Sequence, residues 1–486
     1  MKKSFLLLLI FYASIYAHSQ QSKYSKSIEA KIQQVENSLA GWYQASPDTT
    51  KLWNLQDRMH YFGVQGVSIA VIHNYQLQWA RGYGWADEKE KKSVDNTTLF
   101  QAASISKSLN AVALLRLVQE GKVDIDNDIR MYLKTWSLPS DSFGSNAPVT
   151  LKGLLSHTAG ISTRAFAGYR RGDSLPTLIQ MLEGRSPANS EKIHSVRAAA
   201  KLADYSGGGI LISRQVVEDV TGMPYDKYLY KKVLRPLGMT RSFFTQPPFA
   251  SRERELATGY SYEGTEVPGK YHIYPEMAPD GLWTNPTELS KFIINTQRSY
   301  SGKTGLLLSP AITRLQLTPC MSNFGLGVFI DQKGKSRYFE HSGANEGFVC
   351  EYFGSMEGGD GMVIMINSDN GRKLLEEIEA SIAQVYGWEG FYKPAIKKLV
   401  TVPKGILENY AGVYDMNGLP LSVVWRGDGL ALRVPRGLYY PLLFTDEADF
   451  FVYEVNLSGS FQKNKDGKFE TLILHTAGGE QKAIKK

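Results

Sequence analysis

The sequence predicts an α+β protein. One antiparallel sheet is assembled from both ends of a long domain, a helical insertion separates its halves, and a small β-barrel or sandwich follows. Three observations carry this. Strand-like alternation appears at residues 67–72 and 76–83, fades through the middle of the chain, and returns after Phe324. The interval between them reads as mostly helical from about 130 to 300. From Leu407 onward, short apolar runs recur about every ten residues between breaks at Asn417-Gly418, Asp428-Gly429, Ser458-Gly459 and Asp466-Gly467.

The elements follow in order. Lys2 and Lys3 precede an apolar run over 5–12 and then Ala17-His18-Ser19, the layout of an export signal. Cleavage is expected after Ser19, with residues 20–395 as the main domain and 404–486 as the barrel. The apolar run is shorter than the ~20 residues a membrane span needs. No cysteine follows it, so no lipid anchor is expected and the mature chain should reach the periplasm. Residues 27–40 carry Ile28, Ile32, Val35 and Leu39 on one helical face. The strands at 67–72 and 76–83 turn at Asn74-Tyr75. A buried helix after Ser104, with Leu109, Val112, Leu115 and Val118, should stop at Gly121. Shorter helices are expected at 150–156, at 210–220 before Thr221-Gly222, and from Asn285-Pro286. Strands are expected at 327–331, 336–340, 348–353 and 362–367, with an amphipathic helix over 372–386 ending at Gly387. Residues 388–403 read as a linker. The barrel strands are expected at 421–425, 430–434, 440–444, 450–455 and 469–475.

Composition narrows the function classes. The chain has 486 residues, 43% hydrophobic and 21% charged, with a net charge of +7. Its basic residues are scattered rather than gathered in a stripe, so nucleic-acid binding is not expected. Eight histidines spread thinly, without HExxH, predict no metal site, and no phosphate-binding glycine loop follows a strand. No cofactor is expected. Of the two cysteines, Cys350 lies in an apolar run and reads as a buried free thiol; a disulfide to Cys320 stays open.

Chemistry concentrates at Phe100-Gln101-Ala102-Ala103-Ser104-Ile105-Ser106-Lys107. Ser104 and Lys107 stand three apart at a helix start, which puts both side chains on one face. The ammonium can then reach the hydroxyl, and the helix dipole favours a forming alkoxide. Tyr205 lies in a glycine-rich loop, Tyr205-Ser206-Gly207-Gly208-Gly209, where its phenol can act as general base beside Lys107. His341-Ser342-Gly343 follows a strand and reads either as a turn or as a substrate-binding edge. In the second reading His341 offers a donor to the scissile group or a substrate carboxylate. Gly343 then lets an acyl group lie against the strand. The N–H groups of Ala344 and Ser104 form an oxyanion hole.

Three further matches are decoys. Ser460-Phe461-Gln462-Lys463 repeats the Ser-x-x-Lys spacing inside a barrel strand. Lys303-Thr304-Gly305 lies in a polar loop rather than an edge strand, and Ser368-Asp369-Asn370 comes too late in the chain. No G-x-S-x-G is present, so a Ser-His-Asp hydrolase is not expected.

Together the opening motif, Leu154-Leu155-Ser156-His157-Thr158-Ala159-Gly160, Gly281-Leu282-Trp283-Thr284, Phe324-Gly325-Leu326-Gly327 and His341-Ser342-Gly343 resemble the serine β-lactamase and penicillin-binding-protein-like family. The likeness is nearest to the class C β-lactamases and their esterase and D-amino-acid peptidase relatives, and covers roughly residues 30–390. The C-terminal module is similar to the lipocalin-like β-domain often appended to them. The resemblance implies a β-lactamase/transpeptidase-like fold, Ser104 as acylated nucleophile, Lys107 and Tyr205 as the proton-transfer pair, and the strand at His341, Ser342, Gly343 and Ala344 as the substrate edge. His157 would be a structural loop residue. Two positions depart from the pattern: Gly207 stands where the family usually has asparagine, and His341 where class C enzymes have lysine.

The function so implied is an exported serine hydrolase that forms an acyl-enzyme on an amide or ester, such as a D-amino-acid-containing peptide. A carboxylesterase is the near alternative and a non-catalytic cell-envelope binding protein the distant one. The expected partner is a small-molecule or peptide substrate, and the sequence says nothing of oligomeric state.

Overall fold

The computed structural model describes residues 24–44, 52–139, 148–303, 305–433, 439–453, 457–476 and 479–486. The expected export signal lies outside them.

Six strands build the main sheet: β1 (Gly66–His73), β2 (Gln76–Asp87), β3 (Phe329–Lys333), β4 (Ser336–Asn345), β5 (Phe348–Ser355) and β6 (Gly361–Ile366). The short strand Lys92–Ser93 adds an edge, and the order is that strand, then β2-β1-β6-β5-β4-β3, antiparallel throughout. The two ends of the domain meet at its centre, where Ile69 pairs with Ile364. Asn74 and Tyr75 turn the first hairpin with φ of 53° and 61°, the left-handed pair a tight hairpin needs.

Seven helices matter for the site: α1 (Lys26–Glu36), α2 (Leu55–Phe62), α3 (Ser106–Gln119), α4 (Leu151–Leu155), α5 (Gly207–Thr221), α6 (Pro286–Tyr300) and α7 (Gly371–Tyr386). Alternation along β1 assigns the layers. Val67, Ile69 and Val71 pack with Ile32, Leu55 and Ile378 of α1, α2 and α7. Ala70 and Ile72 join the other core, with Leu109, Ile210 and Phe292 of α3, α5 and α6. A buried ion pair, Arg58 Nε to Glu377 Oε2 at 2.8 Å, ties α2 to α7.

The C-terminal strands, β7 (Gly412–Met416), β8 (Leu419–Arg426), β9 (Gly429–Arg433), β10 (Tyr439–Phe444), β11 (Asp449–Val452), β12 (Leu457–Lys463), β13 (Phe469–Thr476) and β14 (Gly479–Lys485), form a closed barrel. Pairing of Tyr414 with Lys485 closes it. Its interior is packed with side chains: Tyr410 stacks on Phe461 at 4.2 Å, and Phe444, Phe450 and Leu472 are buried around them.

The structure changes four expectations. The middle is less helical than expected, with long loops between short helices such as α4 and Leu178–Glu183, because its apolar residues are buried by irregular backbone as well as by helices. Strand β4 does not stop at Glu340. It runs to Asn345, because pairing with β5 continues up to the two-residue turn Glu346-Gly347. Three barrel strands (β7, β12 and β14) escaped detection because their sequences are polar or glycine-containing and alternate weakly. The expected strand ends at Val434 and at residues 454–455 lie outside the described residues. Residues 388–403 are no free linker: Trp388 and Phe391 are buried on the main domain, Ala395–Ile396 pairs with Tyr43–Gln44, and the Val400 N–H donates to Phe444 O.

Candidate active site

Ser104 sits in a tight turn, Ala103–Ile105, that runs directly into α3. Ala103 has φ of 45°, a left-handed conformation that costs a non-glycine residue energy. The surroundings hold it there. Phe100–Gln101 pairs with Trp283–Thr284, the Ala102 N–H donates to Leu282 O at 2.8 Å, and the Leu282 N–H donates to Ser106 Oγ at 3.0 Å. The Cys350 thiol donates to Ala102 O at 3.2 Å from beneath. Both cysteines are free, Cys350 buried and Cys320 exposed.

Lys107 is 1% exposed, one turn into the helix. Its ammonium donates to Ser104 Oγ at 2.8 Å and to Pro279 O at 2.9 Å, and pairs with Asp280 Oδ1 at 3.4 Å. Ser104 Oγ in turn donates to Asp280 Oδ1 at 3.2 Å. Burial alone would lower the Lys107 pKa, but the Asp280 carboxylate and the Tyr205 phenol outweigh it and hold the pKa above the ordinary lysine value. In the resting site Lys107 is therefore an ammonium.

Tyr205 lies just before α5, whose N-cap is Ser206. Its ring centroid is 5.1 Å from Lys107 Nζ and 4.4 Å from the ring of His157. His157 is buried, has φ of 57°, and accepts the Ser206 N–H on Nδ1 at 3.0 Å. Burial first, and Lys107 second, push its pKa well below the usual value, so it packs as a neutral ring behind Tyr205.

β3 pairs with β4 only as far as Glu340, so His341 to Asn345 have no strand partner on that side. The Ala102–Ala103 turn lies against this segment. A Cβ on Gly343 would meet Ala102 O at 2.5 Å and Ala103 Cβ at 3.1 Å, so only glycine allows the approach. Ser342 is half-buried and Ala344 exposed on the same segment. His341 differs from expectation. Its Nδ1–H donates to Ser342 O at 2.6 Å, while burial and then Lys107 push its pKa down to about 3. The neutral ring thus leaves Nε2 as an unprotonated acceptor, buried without a hydrogen-bond partner, rather than a donor to a substrate carboxylate.

The departure at Gly207 has a steric reason. A Cβ there would lie 3.0 Å from Phe166 Cε2 and 3.1 Å from Arg164 O. The 164–166 segment occupies the space a longer side chain would need.

The decoys sit elsewhere. Ser460 pairs with Asp449 and Ile473 inside the barrel wall. Ser368 and Asp369 follow β6, and Asp369 Oδ1 accepts the Gly347 N–H. Lys303 is exposed, its Nζ 4.4 Å from the Tyr75 ring centroid, and Thr304 lies outside the described residues. Among the described residues, no group of three or more histidine, cysteine, aspartate or glutamate side chains could hold a metal ion.

The motif search missed Asp280, Asn345 and Phe166. Asp280 directly precedes Gly281-Leu282-Trp283-Thr284, and only its position in the chain hinted at it.

A β-lactamase family model matches residues 54–386, more than half of the chain. The chain belongs to the β-lactamase family. Ser104, Lys107, Tyr205 and the β4 edge all fall inside the matched segment of this serine hydrolase family. A teichoic acid D-alanine hydrolase of Staphylococcus aureus is 29% identical over 273 residues, a match covering 54% of this chain and 60% of the relative. Two solved structures share the β-lactamase-like fold. A penicillin-binding protein homologue of Pyrococcus abyssi aligns with a TM-score of 0.62 at 22% identity, covering 88% of this chain and 98% of its own. A D-amino acid amidase of Ochrobactrum anthropi SV3 aligns with a TM-score of 0.56 at 21% identity, covering 74% and 98%.

Proposed function

We propose that this protein is an exported serine hydrolase that transfers a D-amino-acid acyl group from an ester or amide onto Ser104 and then to water. The observation that carries it is the Lys107 Nζ to Ser104 Oγ contact of 2.8 Å in a buried site. Ser104 Oγ attacks the carbonyl carbon, and the Lys107 ammonium steadies the oxygen as its proton leaves. Because Lys107 is already protonated, the base in this reading is Tyr205 as a phenolate beside that ammonium; it takes the proton, becoming a phenol, and returns it to the departing alcohol or amine. The oxyanion then lies between the Ser104 and Ala344 N–H groups. Water repeats the cycle on the acyl-enzyme and releases the D-amino acid. The D-amino-acid donor is supported by the relative named for D-alanine and by the amidase sharing the fold. Export is supported by the cell-wall polymer in that relative's name and by the Lys2-Lys3 and apolar layout of the N-terminus. No helix of the described residues is long and apolar enough to cross a membrane.

Esters are the second reading, favoured by the filled space at Gly207, which leaves no side-chain amide to hold a peptide bond. A panel of D-aminoacyl amides, D-Ala-D-Ala peptides, short-chain esters and a cephalosporin separates the readings. Hydrolysis of a D-aminoacyl ester or amide, lost together with fluorophosphonate labelling in Ser104→Ala, is the expected result. No labelling of the wild type would instead place the chain among non-catalytic binding proteins. Tyr205→Phe should slow acylation by about 10²-fold or more; an unchanged rate removes Tyr205 from the mechanism.

A further inference from the structure

Asp280 touches the nucleophile, yet the proposed reaction needs no carboxylate there. Its Oδ1 accepts from Ser104 Oγ at 3.2 Å and pairs with Lys107 at 3.4 Å. Oδ2 takes no hydrogen bond among the described residues. The residue is held from its backbone: Asn345 Nδ2 donates to Asp280 O at 3.2 Å, and Lys107 to the preceding Pro279 O. A 6% exposed carboxylate with one unused oxygen beside Ser104 has the chemistry to accept a hydrogen bond from a cation.

The geometry limits which cation. In an aminoacyl group the α-nitrogen is two bonds, about 2.5 Å, from the carbonyl carbon. When that carbon bonds to Ser104 Oγ, a carboxylate 3.2 Å from Oγ lies within hydrogen-bond reach of the nitrogen. The charge around the site points the same way. Glu346 lies with Asp280 near the buried Tyr274, whereas Arg164 lies 5.6 Å from the Tyr205 ring centroid. The Lys107 ammonium already pairs with Oδ1, so a substrate ammonium is accommodated at the open Oδ2, on the side away from Lys107.

We propose that Asp280 reads the free α-ammonium of the acyl group taken up by Ser104, so that donors are D-amino-acid esters or amides with an unblocked amine. This rests on the hydrolase reading above and names its donor class. Blocking the amine removes the charge and leaves at most a neutral N–H for the carboxylate.

The test compares D-alanine p-nitroanilide with its N-acetyl derivative, which share one leaving group, in the wild type and in Asp280→Asn. Circular dichroism and thermal melts check that each protein is folded, and fluorophosphonate labelling of the wild type checks that Ser104 is reactive. The wild type should favour the free amine by about tenfold or more in kcat/KM, and Asp280→Asn should erase that preference. The wild-type ratio is informative whether or not the variant folds. Equal rates on both substrates overturn the inference and leave the hydrolase intact. A preference that survives in Asp280→Asn, with both rates lowered in parallel, also overturns it and confines the carboxylate to Ser104. A labelled wild type that cleaves neither anilide, nor the p-nitrophenyl ester of D-alanine above its spontaneous rate, overturns the D-aminoacyl reading itself.

Discussion

At the scale of single residues, the site works by placing charge where water is scarce. Lys107 stays an ammonium because Asp280 and Tyr205 outweigh its burial, and that ammonium helps to keep His157 and His341 neutral. Glu276 shows the opposite effect. It is fully buried, neither carboxyl oxygen has a hydrogen-bond partner, and burial pushes its pKa up to about 8. Between the ordinary value of 4.5 and about 8, the folded chain holds a proton that the unfolded chain releases. The stability this group contributes is thus full below the ordinary value and lost as pH rises through about 8. Glu276→Gln should therefore flatten the fall in Tm between about pH 5 and about pH 9, by several degrees at the alkaline end. Thermal melts across that range check it, and an unchanged slope would assign the pH dependence to other groups such as Glu340, whose pKa burial also raises to about 8.

At the scale of elements, β4 and α3 must approach until the strand touches the Ala102–Ser104 turn. Gly343 allows this, since any Cβ would strike Ala102 O at 2.5 Å. Gly343→Val should cost about 1–3 kcal/mol of stability and, by moving the edge from Ser104, slow acylation by roughly 10²-fold. Labelling rates measured on folded protein separate the two effects. The N-terminus of α5 is equally constrained. Gly207→Asn restores the family's usual residue, but its Cβ would meet Phe166 and Arg164 O at 3.0–3.1 Å. It should lower Tm and leave cephalosporin hydrolysis undetectable. A gain of β-lactamase activity would show that the 164–166 segment yields easily.

For the whole molecule, the barrel is a packed body that meets the main domain at Tyr43, Trp53 and Tyr61 of α2. Phe451 packs on Tyr43 at 4.9 Å and Tyr453 on Trp53 at 5.5 Å, and the Tyr61 hydroxyl donates to Tyr439 O at 3.1 Å. Tyr410, Phe444, Phe450 and Phe461 pack together inside the barrel. Phe451→Ala should cost about 3–5 kcal/mol at this seam and split one calorimetric transition into two. Labelling of Ser104 should be unchanged in the native fraction. A single, unshifted transition would mean that the two bodies unfold independently of this contact.

How much of this was legible follows from range. Local pattern is written in neighbouring residues, so the β1–β2 hairpin, the buried α3 with Ser104 and Lys107 one turn apart, the Asn285 cap of α6 and the alternating strands around β5 could all be read directly. The fold class followed, because strands at both chain ends flanking a long insertion can share one core only as a single sheet. Other features depend on residues far apart in sequence. Asp280 meets Ser104 across 176 residues, and no spacing rule links them. The length of β4 was set by its pairing with β5, and the tautomer of His341 by the Ser342 carbonyl beside it. Polar barrel strands such as β14 are held by their neighbours' hydrogen bonds rather than by an apolar pattern of their own. The sequence by itself determined the pairing of Ser104 with Lys107 one helix turn on, and the sheet behind them. Only the tertiary structure decided the charge state of that lysine and the carboxylate facing it, because both depend on burial and on groups brought together by folding.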